Sequence, residues 1–479
     1  MTSTTKLAAS SMFVLAFIVF GLTCPVHMQA QCSFSEGNTA VYAACGTGIN
    51  PQGSAAYIDA SVFTGTGSKT DVCAKVNAVL LSSTYPAAGA VIDARGILPS
   101  SGTTQACSIS PWGGTPTSGT WPPATLLLPA GIIAIPAGWV LPNKTRIIGQ
   151  NAGSTSSGTA GTTTIQACLT TTTGCPTGSD FSGTLITMGS SATVNNCPST
   201  GCIGIGVQDL WLDGEGLSIN GIANTFSEEM SFVSHVNLYQ IVGTGLGVSG
   251  TSTNSGPYSD IGFAIGSATP VADTICAHIV NVSTRGIHGL TCTGYTGTGT
   301  IPSNAVIIDA SNNTIEDVEV EGFGTAVEIG ENDSAQNDAF INIVGSTNVS
   351  TVISITKVSG KNVSDISIMA ASNGGGSAQT ISDARSTPST SVTAATVAIY
   401  VLGDPVDAAG SPIGYTRFTT AVGQPTWVVG AATPSPATGC TVGSTFSNAQ
   451  GSGSDKTLFV CLPKNKCSPT TATCWTPIG

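Results

Sequence analysis

The chain has 479 residues, 26 acidic against 14 basic, and a formal net charge of −12. That balance argues against nucleic acid or an anionic membrane surface as a partner. Only 8% of residues are charged and 59 are glycine. Mean hydropathy is positive at +0.27, which excludes a disordered chain and suits a large β-core with polar, uncharged loops.

Residues 1–30 read as an export segment. Lys6 is the lone early cation, residues 12–22 are apolar but too few to span a bilayer, and Met28-Gln29-Ala30 ends on a small residue suited to cleavage. Cys24 follows Gly21-Leu22-Thr23, a poor match to a lipid-anchoring signal, so a secreted, extracellular protein is expected. Cleavage removes Lys6, taking the charge from −12 to −13, and Cys24, leaving 14 of 15 cysteines. These fall into close neighbours: Cys32/Cys45, Cys73/Cys107, Cys168/Cys175, Cys197/Cys202, Cys276/Cys292, Cys440/Cys461 and Cys467/Cys474. Local disulfides are expected ahead of metal ligation, because there is no Cys-x-x-Cys and no Cys/His cluster.

After a leader over 31–56, the structured part is expected over 57–404. Ser68-Lys69-Thr70-Asp71 precedes an apolar-periodic stretch over 72–81, the signature of a capped short helix. Then come Gly89-Ala90-Val91-Ile92, Leu128-Pro129-Ala130-Gly131, Ile135-Pro136 and Arg146-Ile147-Ile148-Gly149. This opening resembles the pectate-lyase superfamily of secreted proteins. The resemblance implies a right-handed parallel β-helix, a solenoid whose N-terminal helix caps its open end. It covers about 57–150 by motif and 200–400 by coil pattern. For activity it implies only a range, since that group includes lyases, hydrolases, epimerases, phage tailspikes and proteins without known activity.

Loop insertions are expected near 151–201 and 250–272. Short runs then alternate aliphatic with outward residues: Leu210-Trp211-Leu212, Val236-Asn237-Leu238, Val280-Asn281-Val282, Val318-Glu319-Val320, Ile341-Asn342-Ile343 and Ile366-Ser367-Ile368. Aligned on their middle residues they predict an outward column of Trp211, Asn237, Asn281, Glu319, Asn342 and Ser367. A β-sandwich is the structural alternative, but its hairpin corners are scarce. A last solenoid strand is expected within 392–402, a Pro/Gly/Ala-rich linker with some extended structure over 405–436, and a small disulfide-stapled β-hairpin module over 437–479.

In the solenoids of that superfamily, active residues project from one stacked sheet and line a groove. On this chain the resemblance implies a groove for an extracellular polysaccharide, bound and cleaved by lyase or hydrolase chemistry. The alternative is a non-catalytic adhesin, appendage or rigid spacer. The catalytic candidates are Asp213 and Glu215, two residues apart on extended chain, with Arg285 and His288 in a basic pair. Asp213 and Glu215 equally fit a Gly-flanked turn. Trp211 is the candidate platform for a sugar ring, and His235, Asn237, Asn281 and Glu319 are candidate hydroxyl-binding groups. Glu316, Asp317, Glu319 and Glu321 form an acidic edge of the kind Ca²⁺ takes, or one of solvated charges. No other cofactor is expected. Oligomeric state is open, although solenoids of this superfamily sometimes trimerise.

Overall fold

The computed structural model describes residues 56–63, 70–98, 104–153, 161–171, 175, 180–295 and 299–356, and short segments between 361 and 477. The export segment and the Cys32/Cys45 pair lie outside the described residues. The expected helix forms at Val72–Leu80, where the Asp71 carboxylate accepts from the Ala74 N–H at 2.8 Å.

Almost everything else is strand, paired parallel and stacked coil on coil. The strands Gly206–Asp213, Phe232–Tyr239, Tyr258–Ala264, Ile287–Thr293, Thr314–Glu321 and Ala339–Gly345 lie one above the next. Each contains one residue in the left-handed region: Asp209 (φ 54°), His235 (52°), Asp260 (53°), Gly289 (74°), Asp317 (53°) and Asn342 (55°). Asp, Asn and His tolerate that conformation better than other side chains, and Gly adopts it freely. The pairs on either side, such as Gln208 with Ser234 and Leu210 with Val236, place these residues in one column.

An extra outward residue bends a strand. The bend is complete enough that the two halves of one strand pair with different neighbours. Gly206–Gln208 pair with Arg146–Ile148, whereas Trp211–Asp213 pair with Thr164–Gln166. At the far end Ala339 and Phe340 pair with Ser367 and Ile368, while Ile343–Gly345 pair with Ala371–Asn373. Each coil therefore has three walls. Wall 1 precedes the bend and wall 2 follows it. Wall 3 is a separate nine-stranded sheet running from Trp139–Leu141 through Asn220–Asn224, Thr244–Val248, Ile275–Val280, Asn304–Asp309 and Thr325–Ile329 to Gln379–Asp383. The chain is a parallel β-helix, with the right hand that strand–crossover–strand connections take.

The core is the space the walls enclose. Leu210, Val236, Ile261, Leu290 and Val318 stack inward from wall 2, and Ile222, Leu246, Ala277, Val306 and Val327 from wall 3, all 2% exposed or less. Each large aliphatic buried this way is worth about 1.5–3 kcal/mol. Four disulfides form among the described cysteines, Cys73–Cys107, Cys168–Cys175, Cys197–Cys202 and Cys276–Cys292, each between the expected neighbours. Cys276 and Cys292 are fully buried and tie wall 3 to wall 2 of the following coil, so this bridge spans the core instead of closing a surface loop.

Two expectations change. The stretch 250–272 is not simply a loop, because Tyr258–Ala264 is a full coil strand with Ile261 and Phe263 in the core. Asn281, Asn342 and Ser367 do not continue the column above Trp211 and Asn237; the pairing runs Trp211, Asn237, Gly262, Thr291, Glu319, Val344. Asn342 belongs to the bend column, Ser367 to wall 1, and Asn281 follows a wall 3 strand at φ 56°. Within 405–436, where a linker with some extended structure is expected, Thr416–Thr419 and Thr426–Gly430 are strands. Beyond it, Thr445–Asn448 and Leu458–Pro463 pair antiparallel, as do Leu458–Pro463 and Thr473–Pro477.

One turn carries a buried polar ladder. Asn313 Oδ1 accepts from the Thr284 N–H and hydroxyl, both at 2.8 Å, and Asp338 Oδ1 accepts from the Asn313 N–H at 2.8 Å. Asp338 is 1% exposed and its Oδ2 has no partner. Burial pushes its carboxyl up to about 7 against the lowering effect of the Asn313 bonds. Between the ordinary carboxylate range and about pH 7 the folded chain holds a proton that the unfolded chain has released, so stability falls as pH rises through that window. Asp338→Asn removes this dependence. Urea unfolding should show the variant's advantage over wild type growing by about 2 kcal/mol from pH 5 to pH 8. Parallel pH profiles for the two proteins would contradict the assignment.

Candidate functional site

The residues singled out in the sequence separate into distinct places. Trp211 is 2% exposed, packed against Tyr239 with ring centroids 5.2 Å apart and the ring planes tilted by 53°. It is a packed side chain and not an open sugar platform. Asn237, beside it, donates to the carbonyls of Ala152 and Gly153 at 2.9 and 3.0 Å, holding the overlying loop. Glu215 does not share an extended face with Asp213. Its φ is 54° and its N–H donates to Asp213 Oδ1 at 2.9 Å, which closes a local turn. Burial first, and the Glu215 charge second, push Asp213 up to about 6; burial also raises Glu215, which accepts from Gln166.

His235 stands exposed in the bend column, with Nε2 3.3 Å from Asp260 and Nδ1 3.9 Å from Asp209. His288 lies on wall 1, its Nδ1 3.0 Å from Glu316 and its Nε2 3.1 Å from the Arg285 carbonyl. Arg285 and His288 are thus neighbours. Asp213 is not near them. It sits five residues further along its strand than the Gln208 position below His288, and three coils lower. At about 3.3 Å per residue and about 4.8 Å per coil, those offsets are roughly 16 and 14 Å. The acidic edge is likewise divided: Glu316 faces from wall 1, Asp317 from the bend, where it accepts from Asn342 at 2.7 Å, and Glu319 from wall 2. Among the described residues no three His, Cys, Asp or Glu side chains are grouped to hold a metal ion.

A different set of groups meets on wall 3. Its outward column runs Ala223, Gly247, His278, Ile307, Glu328, Ser354. The two small members leave a concavity of about 140 Å³, lined among others by Asn220, Thr244, Ser249 and His278. A Cβ on Gly247 would meet nothing closer than Thr244 Cγ2 at 3.7 Å, so the open space there follows from the missing side chain.

His278 is held from behind. Its Nε2 lies 3.3 Å from Oδ2 of Asp309, a residue with 0% exposure. Asp309 Oδ1 accepts the N–H groups of Asn332 and Asp333 at 3.0 and 3.3 Å. Burial raises the Asp309 carboxyl, but the His278 bond and these backbone bonds outweigh it and hold it below its ordinary value. An ionised carboxylate only accepts, so Nε2 carries the proton and Nδ1 is left as the basic nitrogen.

Glu328, two places above His278 in the column, is 5% exposed with Oε1 unpartnered. Burial, then the charges of Glu331 and Asp309, push it up to about 7 against bonds from Ser354 and Thr356. Glu331 is also raised, by burial and by Asp309, while accepting from Asn304 at 3.1 Å. Asp333 is lowered to about 2, chiefly by Lys361 at 2.6 Å. Asn281 belongs here: its side chain bonds Asp333. One carboxyl pushed up beside one pushed down is the usual arrangement for dividing acid and base roles.

The sequence reading missed His278, Asp309 and Glu328. Each is a polar residue within or ending an aliphatic strand, in Ala277-His278-Ile279, Ile307-Ile308-Asp309 and Val327-Glu328-Ile329. That interruption is the signal that marks them.

No family model and no curated protein matches the chain. Among solved structures it is similar to the A-module of the mannuronan C-5 epimerase AlgE4 of Azotobacter vinelandii, 11% identical over 60% of this chain and 90% of that one, with a TM-score of 0.22. The AlgE6 A-module of the same organism gives 12% identity, 59% and 91% coverage and a TM-score of 0.27. Geobacillus virus E2 ORF18 gives 10% identity over 73% of this chain, 62% of its own length and a TM-score of 0.29. The fold rests on the strand pairings themselves.

The packing of Trp211 predicts a stability effect. Trp211→Ala should cost about 3–5 kcal/mol in denaturant unfolding, whereas His235→Ala, exposed in the bend, should stay within about 0.5 kcal/mol. A Trp211→Ala protein of unaltered stability would show that the side chain is free to serve a ligand.

Proposed function

We propose that this is an exported polysaccharide-binding β-helix protein whose working face is wall 3, with His278 as its acid–base group. The observation that carries the reading is the His278 ring, 24% exposed at the concavity and held by a carboxylate 1% exposed. A buried orienting carboxylate fixes the tautomer and stabilises the imidazolium once a proton is taken. The polymer runs along the solenoid axis, across successive strands, with Asn220, Thr244 and Ser249 supplying hydroxyl-binding groups. His278 Nδ1 accepts a proton from water or from a sugar carbon, and Glu328 retains one near neutral pH. The four disulfides among the described cysteines support an oxidising, extracellular setting. No helix among the described residues is long and apolar enough to cross a membrane.

A second reading, a rigid non-catalytic spacer, is favoured by one observation: Asp213 does not converge with Arg285 and His288.

The two readings part on a polysaccharide panel assayed for new reducing ends and unsaturated products, with and without Ca²⁺. On wall 3 chemistry, His278→Ala and Asp309→Asn lower the rate by about 10²–10⁴-fold, the usual worth of a positioned acid–base group. Asp213→Asn leaves it unchanged. Silence across the panel, with no binding, would leave the spacer.

A further inference from the structure

Apart from wall 3, we infer a second site at the corner of walls 1 and 2, where Ser234, His235 and Asp260 form a relay that hydrolyses acyl esters carried on a polymer. The corner makes the relay possible. Two consecutive side chains point outward there, Ser234 as the last residue of wall 1 and His235 as the corner residue. Their contact is direct, with Ser234 Oγ 3.1 Å from His235 Nδ1. The corner residue of the next coil supplies the carboxylate, Asp260 Oδ2 lying 3.3 Å from His235 Nε2.

The hydrogen bonds run in one direction. A carboxylate accepts, so Nε2 carries the proton and Nδ1 is the basic nitrogen that faces the hydroxyl. Ser259, paired with Ser234 from the coil above, donates to Ser234 Oγ at 3.1 Å and leaves the Ser234 proton for Nδ1. Asp209, the corner residue below, lies 3.9 Å from Nδ1, so an imidazolium formed here stands between two carboxylates. Gln208 pairs with Ser234 from the coil below, about 4.8 Å away, and brings a side-chain amide within reach of an oxyanion formed there. The other described histidines lack this arrangement. No hydroxyl among the described residues bonds His278. His288 stands above Ser259, but its Nδ1 faces Glu316 and its Nε2 the Arg285 carbonyl, which leaves no nitrogen to act as base.

The reaction is two acyl transfers. Ser234 Oγ attacks the ester carbonyl carbon as its proton passes to His235 Nδ1, the carbon–alkoxide bond breaks, and the alcohol leaves with that proton. Water then attacks the acyl-serine and gives a proton to Nδ1, and the carboxylic acid departs as Ser234 regains its hydrogen. Asp260 touches none of the reacting atoms; it is a positioning residue that fixes the tautomer and stabilises the imidazolium. The side chains of His235 and Asp260 are more than half exposed, so this corner cannot engulf a substrate. It suits a short acyl group projecting from a long chain laid across the convex edge.

The test is hydrolysis of p-nitrophenyl acetate and acetate release from O-acetylated xylan by the full chain, with fluorophosphonate labelling mapped by mass spectrometry. The label should fall on Ser234. Ser234→Ala and His235→Ala should each lower kcat/KM on both esters by about 10²–10⁴-fold at an unchanged unfolding midpoint. Asp317→Asn, at the same corner two coils above Asp260, should leave both rates intact. Asp260→Asn should lower kcat and the labelling rate by at least about tenfold with KM unchanged, and Asp260→Glu should recover part of both. Hydrolysis of neither ester, full activity in Ser234→Ala, label on another serine, or Asp260→Asn at the wild-type rate would overturn the relay. Cleavage of p-nitrophenyl acetate alone would overturn its assignment to polymer-borne esters.

Discussion

The fold depends on a single backbone event repeated once per coil. One residue enters the left-handed region, two consecutive side chains point outward, and the strand turns a corner without leaving its sheet. Because backbone pairing keeps coils in register, these corners stack from Asp209 to Asn342. The stack converts what would be a flat sheet into two walls, and the enclosed volume then needs only wall 3 to close it. Residues that can hold a positive φ are therefore required at each corner, and five of the six are Asp, Asn or Gly.

That constraint also separates the outer surfaces. Walls 1 and 2 meet at a polar ridge bearing His235, Asp260 and Asp317, where side chains are exposed and diverge across the corner. Wall 3 has no such corner, so its outward residues stack squarely and can enclose a shallow space. A ridge presents charge to solvent, whereas a wall with glycine and alanine at adjacent positions leaves a concavity between its coils. His278 is therefore better placed than either His235 or His288 to act within a concavity, although all three contact carboxylates.

Much of the fold was legible because alternation of aliphatic and outward residues survives in a solenoid, and because the helix cap Asp71 and four cysteine pairs are local features. Coil register was less so. Period-two alternation is the same on every wall, so nothing in Ile279-Val280-Asn281 says that it belongs to wall 3. The corner residue also shifts the alternation by one, which is why Asn342 took the place that belongs to Val344. The corner had a signature in Asp209-Leu210, His235-Val236, Asp260-Ile261 and Asp317-Val318, a residue tolerant of positive φ just before an inward aliphatic. The site was harder to read. Asp309 and Glu328 stand 31 and 50 residues beyond His278, and only the stacking of coils makes them neighbours.

The most direct test of wall 3 as the working face is histidine labelling by diethyl pyrocarbonate, with and without a bound glycan. The chain has four histidines, and the described ones report separately on the three candidate surfaces: His235 on the ridge, His278 on wall 3 and His288 on wall 1. Selective protection of His278, with His235 and His288 still modified, is the predicted result. Protection of His235 or His288 while His278 remains reactive would contradict it.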